Sequence, residues 1–373
     1  MKILIFNWQD LSNPLAGGAE VHLHEVFSRI AKNGNDVTLF CSMYKCAKPE
    51  EVINGIKIIR CGNRILFNFL VPIKYFFKFK KQKFDIIIDD VNKIPFYTPC
   101  FVREPVVGVI HHLFGKSIFK EINFLMASYV FLAEKLAIKI YKNLKFIVGS
   151  PSTHKELLRL GFNENKTQLI YYGVDHTKFK KLNIPKSEAP LIGMLGRLKK
   201  YKCIDHLIEA FKIVKKEIPN AKLVIVGDGD DKLRLQSIVK KLNLESDVTF
   251  TGFVSEEEKT IWLNKIHIAV NSSAKEGWGL TVTEANACGT TTISSNVEGL
   301  RDAVIDNETG LLFEFGNINQ LAEKIILVLK DENLRNTLEN KALTHSRRFD
   351  WEIAADKTMK IIKDIIDEGK RKL

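Results

Sequence analysis

The sequence predicts an α/β protein with two doubly wound domains, each built on a parallel sheet. Short runs of β-branched residues alternate with helical segments along the whole chain, which is the pattern of such sheets. Many of these runs have apolar residues on both faces, as is typical of strands that helices cover on both faces. The chain has 373 residues, more than one hydrophobic core usually holds, so two domains are expected.

The predicted strands form two groups on either side of a polar segment. The first group comprises residues 2–6, 36–41, 56–60, 85–89, 106–111, 145–149 and 168–171. The second group comprises residues 190–195, 222–226, 248–251, 267–271, 291–294 and 310–313. Residues 179–190 lie between them, are mostly polar and contain Pro185 and Pro190, a composition typical of a linker. We therefore predict one domain at residues 1–183 and a second at residues 184–351.

Composition and charge narrow the classes of function. Hydrophobic residues make up 45% and charged residues 27%, which is typical of a globular protein. The six cysteines show no metal-binding or paired spacing, so we predict reduced thiols in a cytoplasmic protein. The net charge of +12 favours an anionic partner: nucleic acid, anionic lipid or a phosphorylated substrate. No helix-turn-helix, zinc-finger or RNP-type pattern supports nucleic acid, so we predict none as a partner.

The most informative segment contains two glutamates on either side of a glycine-rich turn. Glu276 follows the predicted strand at residues 267–271, and Glu284 lies inside the helix that comes next. Ligands of open α/β sheets bind at the carboxyl ends of the strands, which is where this turn falls. The helix that opens at Leu280 and Thr281 also offers unpaired N–H groups, which suit a phosphate.

Three strings in this segment carry a resemblance to a known family. The strings are Glu276–Leu280, Glu284–Ala287 and Cys288–Thr290, and together they resemble the E-x7-E element of retaining nucleotide-sugar glycosyltransferases of family 4. The resemblance implies the GT-B fold, in which two Rossmann-like domains face each other across a cleft. It also implies that the closing helix, at about residues 352–373, packs back on the first domain.

The resemblance implies roles for residues of both domains. Glu276 and His111 would act at the sugar, and His112 stands where the family usually has an aspartate. Arg197 and Lys202 would bind the diphosphate, for which a guanidinium fork and an ammonium are suited. The full set of donor-binding residues that we predict is Gly17, Gly18, Arg197, Lys202, Gly227, Phe253, Val254, Glu276, Gly277, Trp278, Gly279, Leu280, Thr281 and Glu284.

The predicted activity is transfer of a hexosyl-type sugar from a UDP- or GDP-sugar, with retention of anomeric configuration. We predict no metal and no cofactor; the nucleotide sugar is a co-substrate. A nucleotide-sugar epimerase or a glycan elongase of similar fold is the enzymatic alternative. A basic peripheral-membrane or polyanion-binding protein is the non-enzymatic one, and it would be insensitive to Glu276→Gln.

The acceptor is predicted to be lipid-linked or a surface glycan, on the strength of one basic, aromatic segment. At helical spacing Lys74, Lys78 and Lys81 share one face of residues 73–84, while Ile73, Phe76 and Phe77 share another. Such a helix suits the anionic inner face of a membrane, which would make the protein peripheral there. A helix that packs on its own sheet has a similar pattern, so both interpretations stay open at this stage.

Overall fold

The computed structural model describes residues 1–91, 94–120 and 123–370. The chain forms two compact units: Met1–Gly173 together with the segment that begins at Trp351, and Val174–Asp350. The boundary that we predicted after residue 183 therefore falls inside the second unit. The reason is local packing, since Val174 pairs with Asp350 and Phe179 is buried against Lys259 of the same unit.

The first unit is a mainly parallel sheet with helices between its strands. Its elements are β1 (Lys2–Phe6), α1 (Gly18–Lys32), β2 (Asp36–Ser42), β3 (Glu50–Ile53), β4 (Ile56–Cys61), α2 (Phe67–Lys74), β5 (Ile86–Val91), β6 (Val106–Ile110), α3 (Phe124–Tyr141), β7 (Lys145–Val148), α4 (Pro151–Arg159) and β8 (Thr167–Leu169). The strand order is β3-β4-β2-β1-β5-β6-β7-β8, and β3 alone among these described strands runs antiparallel to its neighbour.

Strand β3 was absent from the sequence-based prediction, although the sequence contains a signal for it. Asn54 and Gly55 connect β3 to β4, and both have positive φ angles, 49° and 85°. An Asn-Gly pair with this backbone is the preferred two-residue hairpin turn. The strand itself contains two glutamates in four residues, and this polarity hides it from a search for apolar runs.

The second unit is a fully parallel sheet with the strand order of a dinucleotide-binding fold. Its elements are β9 (Leu191–Leu195), α5 (Ile204–Glu217), β10 (Lys222–Val226), α6 (Lys232–Lys241), β11 (Val248–Gly252), α7 (Glu256–Lys265), β12 (Ile268–Asn271), α8 (Leu280–Ala287), β13 (Thr291–Ser295), α9 (Leu300–Ala303), β14 (Gly310–Phe313), α10 (Ile318–Lys330) and α11 (Glu332–Ser346). The strand order is β11-β10-β9-β12-β13-β14, so successive strands are added on one side of β9 as far as β11 and then on its other side from β12. In such sheets that reversal marks the ligand-binding edge.

The last helix, α12 (Trp351–Lys370), belongs to the first unit. Arg29 of α1 forms an ion pair with Glu352, with Nε 2.8 Å from Oε1. The indole of Trp351 packs edge-on against the ring of His22, with 5.8 Å between centroids. The sequence predicted this helix at about residues 352–373, of which residues 371–373 lie outside the described part of the chain. The prediction of two doubly wound parallel sheets is confirmed, with the single antiparallel edge strand as an addition.

Candidate functional site

The turn between β12 and α8 holds Glu276 and depends on two glycines. Gly279 is the residue before α8 and has a φ of 92°, a left-handed conformation that favours glycine. A Cβ atom there would lie 2.7 Å from Leu300 Cδ2. At Gly299 a Cβ atom would lie 2.2 Å from the carbonyl oxygen of Glu276. The backbone around Glu276 is therefore closely packed, and this packing fixes the position from which its side chain extends.

Glu276 forms a nearly buried ion pair with Lys202, and the exposed fractions of the two side chains are 14% and 13%. Ser273 Oγ lies 2.8 Å from the same carboxylate oxygen, Glu276 Oε1. Burial is the largest single influence and lowers the pKa of Lys202, but the charge of Glu276, the hydrogen bond to it and the charge of Tyr201 together raise the pKa by more, so the net pKa is raised. Two residues that the sequence assigned to different parts of a ligand are thus in direct contact.

Hydrogen bonds between two loops bring Lys202 to this position. Ser272 Oγ lies 3.0 Å from the carbonyl oxygen of Lys202 and 2.9 Å from that of Cys203. The N–H of Ala274 donates to the carbonyl of Tyr201 at 2.8 Å. The loop after β9 is therefore tied to the loop after β12, and these strands are neighbours in the sheet.

Arg197 lies on a loop that is held from its other side by the loop after β10. The N–H of Leu198 donates to the carbonyl of Asp228 at 2.9 Å. A Cβ atom on Gly227 would lie 2.0 Å from the oxygen of Gly196. Gly227 is thus required by the close approach of two backbones, and its predicted contact with a donor stays a prediction. Arg197 is half-buried, and its charge opposes protonation of Lys202 on the same loop.

Glu284 has a partner that the sequence did not indicate. Lys259 Nζ of α7 lies 2.6 Å from Glu284 Oε2, and the ammonium also lies over the ring of Phe179 at 5.1 Å from its centroid. No local motif marks Lys259, because the contact joins two helices that are distant in sequence. Glu284 therefore meets a lysine in this structure, just as Glu276 does.

The remaining predicted donor residues of this unit differ in exposure. Trp278 is 1% exposed and packs edge-on against Phe349 at 5.0 Å between centroids, so its indole is a core group. A donor contact from Trp278 would have to come from the main chain, which corrects the simplest interpretation of the motif. Phe253 is 87% exposed, and Val254 is half-buried. Leu280 and Thr281 begin α8, where helix geometry leaves their N–H groups without intrahelical acceptors, and Gly277 lies within the preceding turn.

In the first unit, Gly17 and Gly18 lie at the start of α1. Gly17 is the N-cap residue of α1, and Glu20 accepts a hydrogen bond from its N–H at 2.7 Å, as the third helical residue does in a capping box. Glu20 is buried, and burial raises the pKa of its carboxyl group. The paired glycines therefore shape a helix start, and their predicted contact with the donor stays a prediction.

His111 follows directly after β6 and is buried with both ring nitrogens engaged. Its Nε2 lies 2.8 Å from Asp90 Oδ1, and its Nδ1 contacts the hydroxyl of Tyr172. Burial is the largest single influence and lowers the pKa of His111, but the charge of Asp90, the hydrogen bond to it and the charge of Glu20 together raise the pKa by more, so the net pKa is raised. A sugar contact from this imidazole would require one of these bonds to break. The predicted catalytic role of His111 stays a prediction, and the contacts themselves are those of a positioning residue.

The segment after His111 is anchored by a residue that the sequence did not single out. Glu134 of α3 accepts from the N–H of Phe114 at 2.7 Å and from the N–H of Gly115 at 2.8 Å. His112 is half-buried, and its ring meets Phe114 at 4.7 Å between centroids. In the described ranges, no group of three or more His, Cys, Asp or Glu side chains could hold a metal ion.

Two family models match the chain in succession. The model described as Glycosyltransferase Family 4 matches residues 16–178, and the model described as Glycosyl transferases group 1 matches residues 175–345. An uncharacterized glycosyltransferase of Methanocaldococcus jannaschii is 25% identical over 393 aligned positions, covering 98% of this chain and 99% of the relative.

A second relative is named for its activity. It is an N-acetylgalactosamine-N,N'-diacetylbacillosaminyl-diphospho-undecaprenol 4-alpha-N-acetylgalactosaminyltransferase of Campylobacter jejuni, 31% identical over 188 residues and 50% of each chain.

Solved structures show the same fold. Sucrose-phosphate synthase from Thermosynechococcus elongatus superposes with a TM-score of 0.83 at 24% identity, covering 98% of this chain and 99% of that one. The Anabaena protein HepE in complex with UDP and glucose gives a TM-score of 0.77 at 18% identity, covering 98% and 100%. At these identities the likeness establishes the fold, and the predicted GT-B architecture is confirmed.

Proposed function

Because the chain belongs to glycosyltransferase family 4, we propose that it transfers a sugar from a UDP-sugar to a lipid-linked or glycan acceptor, with retention at the anomeric carbon. The observation that carries the proposal is that Lys202, on the same loop as Arg197, forms an ion pair with Glu276 in the turn before α8, at the carboxyl edge of the second sheet. Two cations and two unpaired amide N–H groups are what a departing nucleoside diphosphate needs.

The choice of UDP over GDP and of a lipid-linked acceptor draws on similar proteins. The Anabaena structure of the same fold binds UDP and glucose, and the Campylobacter relative is named for an undecaprenyl diphosphate-linked acceptor. Both are different proteins. They support the proposal, but their ligands are not thereby shown to bind this chain.

The proposed reaction breaks the bond between the anomeric carbon and the oxygen of the β-phosphate. A bond between that carbon and the acceptor hydroxyl oxygen forms on the same face, and the hydroxyl proton passes to the departing phosphate. Lys202 and Arg197 stabilise the negative charge that develops on the phosphate, and Glu276 stabilises the positive character at the sugar. Glu284 accepts hydrogen bonds from the ribose hydroxyls. Neutralisation of the phosphate is assigned to protein cations and amides, so turnover is expected to persist when a chelator removes divalent ions.

The proposed roles of the two glutamates separate binding from turnover. Glu284→Ala should weaken UDP binding by about tenfold, the equivalent of one hydrogen bond to a charged group. Glu276→Ala should reduce kcat more than it changes the affinity for the donor, because its contribution is to the transition state. Glu245→Ala removes an exposed carboxylate on a distant loop and is the matched control.

Thermal shift with UDP, GDP and their sugars measures binding, since a ligand at saturating concentration raises the melting temperature. Product analysis with a UDP-sugar and a polyprenyl diphosphate-linked acceptor measures transfer. Equal, small effects of both glutamate substitutions would contradict the assigned roles. Release of free sugar and UDP at the same rate with and without acceptor would identify the epimerase alternative instead.

A further inference from the structure

Large apolar side chains cover one surface of the first unit. In α2 and the π-helical turn that continues it (Tyr75–Phe79), the buried positions are Phe67, Val71, Tyr75 and Phe79, every fourth residue. The other face points to solvent, so Ile73, Phe76 and Phe77 are exposed, the last by 77%. The sequence left open the interpretation that this helix buries those three side chains against its own sheet. That interpretation is wrong, because all three are exposed.

Helix α3 repeats the arrangement beside α2. Its buried face contains Ala127, Val130 and Glu134, while Leu125, Leu132 and Leu136 are exposed. Asn68 Nδ2 donates to the hydroxyl of Tyr129 at 2.9 Å, which joins the two helices. We call the exposed set Ile73, Phe76, Phe77, Leu125, Leu132 and Leu136 the α2–α3 surface. Single exposed apolar residues are normal, but two helices that are joined by a hydrogen bond and each expose several large apolar side chains indicate an interaction site.

The charges around this surface select its occupant. Residues 64–84 contain one arginine and five lysines and no acidic residue. Lys78 is compensated by Glu50 of β3, with 2.7 Å between Nζ and Oε1, so its predicted membrane contact is weakened. Lys80 lies over the ring of Phe76 at 5.5 Å, and Lys81 is exposed. An apolar face with a cationic border complements anionic lipid, whereas two copies of it would oppose like charges across a two-fold interface.

We propose that the α2–α3 surface docks onto an anionic phospholipid bilayer, with its apolar side chains among the lipid headgroups and acyl chains and its lysines on the phosphates. The contact that we propose is interfacial, as for amphipathic helices that lie in the headgroup region. No described helix is long and apolar enough to cross a membrane. The inference is carried by the surface itself and does not depend on which donor or acceptor is used.

Docking of this surface would reach the segment after His111 through α3. Glu134 faces inward from the same helix that exposes Leu132 and Leu136, and it binds the N–H groups of Phe114 and Gly115. The outward face of α3 and that segment are thus parts of one hydrogen-bonded assembly. The diphosphate group of a polyprenyl diphosphate in the same bilayer would then lie at the level of the headgroups, where α3 is docked.

Sedimentation of the full chain with vesicles tests the proposal. We expect binding to vesicles of equal parts phosphatidylcholine and phosphatidylglycerol at low salt, much weaker binding to phosphatidylcholine alone, and loss of binding at high salt. Lys80→Gln with Lys81→Gln should reduce the affinity for the anionic vesicles by about tenfold. The matched control is Lys240→Gln with Lys241→Gln, an adjacent exposed pair in the second unit.

The apolar contribution has its own matched pair. Leu125 and Leu233 are exposed by 81% and 79%, and both lie on helices, so Leu125→Ser should lower vesicle affinity by about fivefold and Leu233→Ser should not. Neither substitution removes a buried group, so both variants should retain the melting temperature of the parent chain and its shift by UDP.

Three results would overturn the proposal: equal binding to both vesicle types at low salt, equal losses in the control variants, or a dimer in analytical ultracentrifugation that Leu125→Ser dissociates. The last result would assign the surface to a second copy of the chain. Because the UDP-induced shift is measured in parallel, failure of membrane docking and failure of the proposed donor chemistry are distinguishable.

Discussion

The ion pair between Lys202 and Glu276 provides the sharpest test of how the second unit's site is built. We predict that Lys202→Met lowers the free energy of unfolding by about 3 kcal/mol, because it leaves a carboxylate without a cation in a nearly buried position. The side chains are exposed by only 13% and 14%, so solvent compensates little. Glu276→Gln should cost about 2 kcal/mol, since an amide oxygen still accepts from Lys202 and Ser273.

The double substitution decides whether these costs come from the pair. If they do, Lys202→Met with Glu276→Gln should lose about 2 kcal/mol in total instead of about 5, a coupling of about 3 kcal/mol. Neither single variant should approach wild-type turnover, and the double variant should recover stability without activity. The raised pKa of Lys202 adds a pH signature: this stabilisation is complete below its unfolded pKa of about 10.4 and is lost as the pH rises through the folded pKa.

Urea unfolding followed by circular dichroism measures all four chains of this cycle, at low and high salt. A buried pair is screened little, so the coupling should change by less than about 0.5 kcal/mol with salt. Single substitutions that each cost under about 0.5 kcal/mol, or strictly additive costs, would show that the pair does not form in solution and would refute the reasoning.

Two further predictions concern the scaffold. Gly227→Ala should lower the free energy of unfolding by about 3 kcal/mol in urea, because the added Cβ would lie 2.0 Å from the oxygen of Gly196 at a φ of 135°. The control is Gly34→Ala, which has open space at a φ of 82° and should cost about 1 kcal/mol. Similar costs for the two substitutions would contradict the close approach. Burial raises the pKa of Asp89 from 3.8 to about 6, so its contribution to stability is complete below the unfolded pKa and is lost as the pH rises through about 6. The stability of wild type relative to Asp89→Asn should therefore fall by about 2–3 kcal/mol between about pH 4 and pH 8, and a constant difference would contradict the raised pKa.

The fold was predictable because its strands are encoded locally. Runs such as Lys2–Phe6 and Lys222–Val226 are apolar at almost every position, and this local pattern indicates a buried strand before any tertiary contact is known. The polar β3 and the boundary at Gly173 were missed for the opposite reason. A strand with two glutamates is defined by its partner β4, and residues 174–183 are assigned by contacts to distant residues such as Lys259.

The site was predictable only where the motif is continuous in sequence. The turn at Gly279 and the start of α8 follow from a glycine before a helix, and the structure has both. The partners of the acids did not follow, because Lys202 and Lys259 reach Glu276 and Glu284 from other elements. Burial of Trp278 was equally hidden, since a tryptophan between two glycines has the same local signature on a surface or in a core.

These partners have a consequence for donor binding that neither glutamate shows alone. Each acid of the motif meets a lysine, so under the proposed function a diphosphate that binds Lys202 would compete with Glu276 for the same ammonium. The charge of Arg197 opposes protonation of Lys202, and an added anion would relieve that repulsion. The exchange would free the Glu276 carboxylate as the phosphate arrives, next to the place where we propose that positive character develops on the sugar. Donor binding and activation of Glu276 would then be a single electrostatic event, which is why turnover should depend on Glu276 more than affinity does.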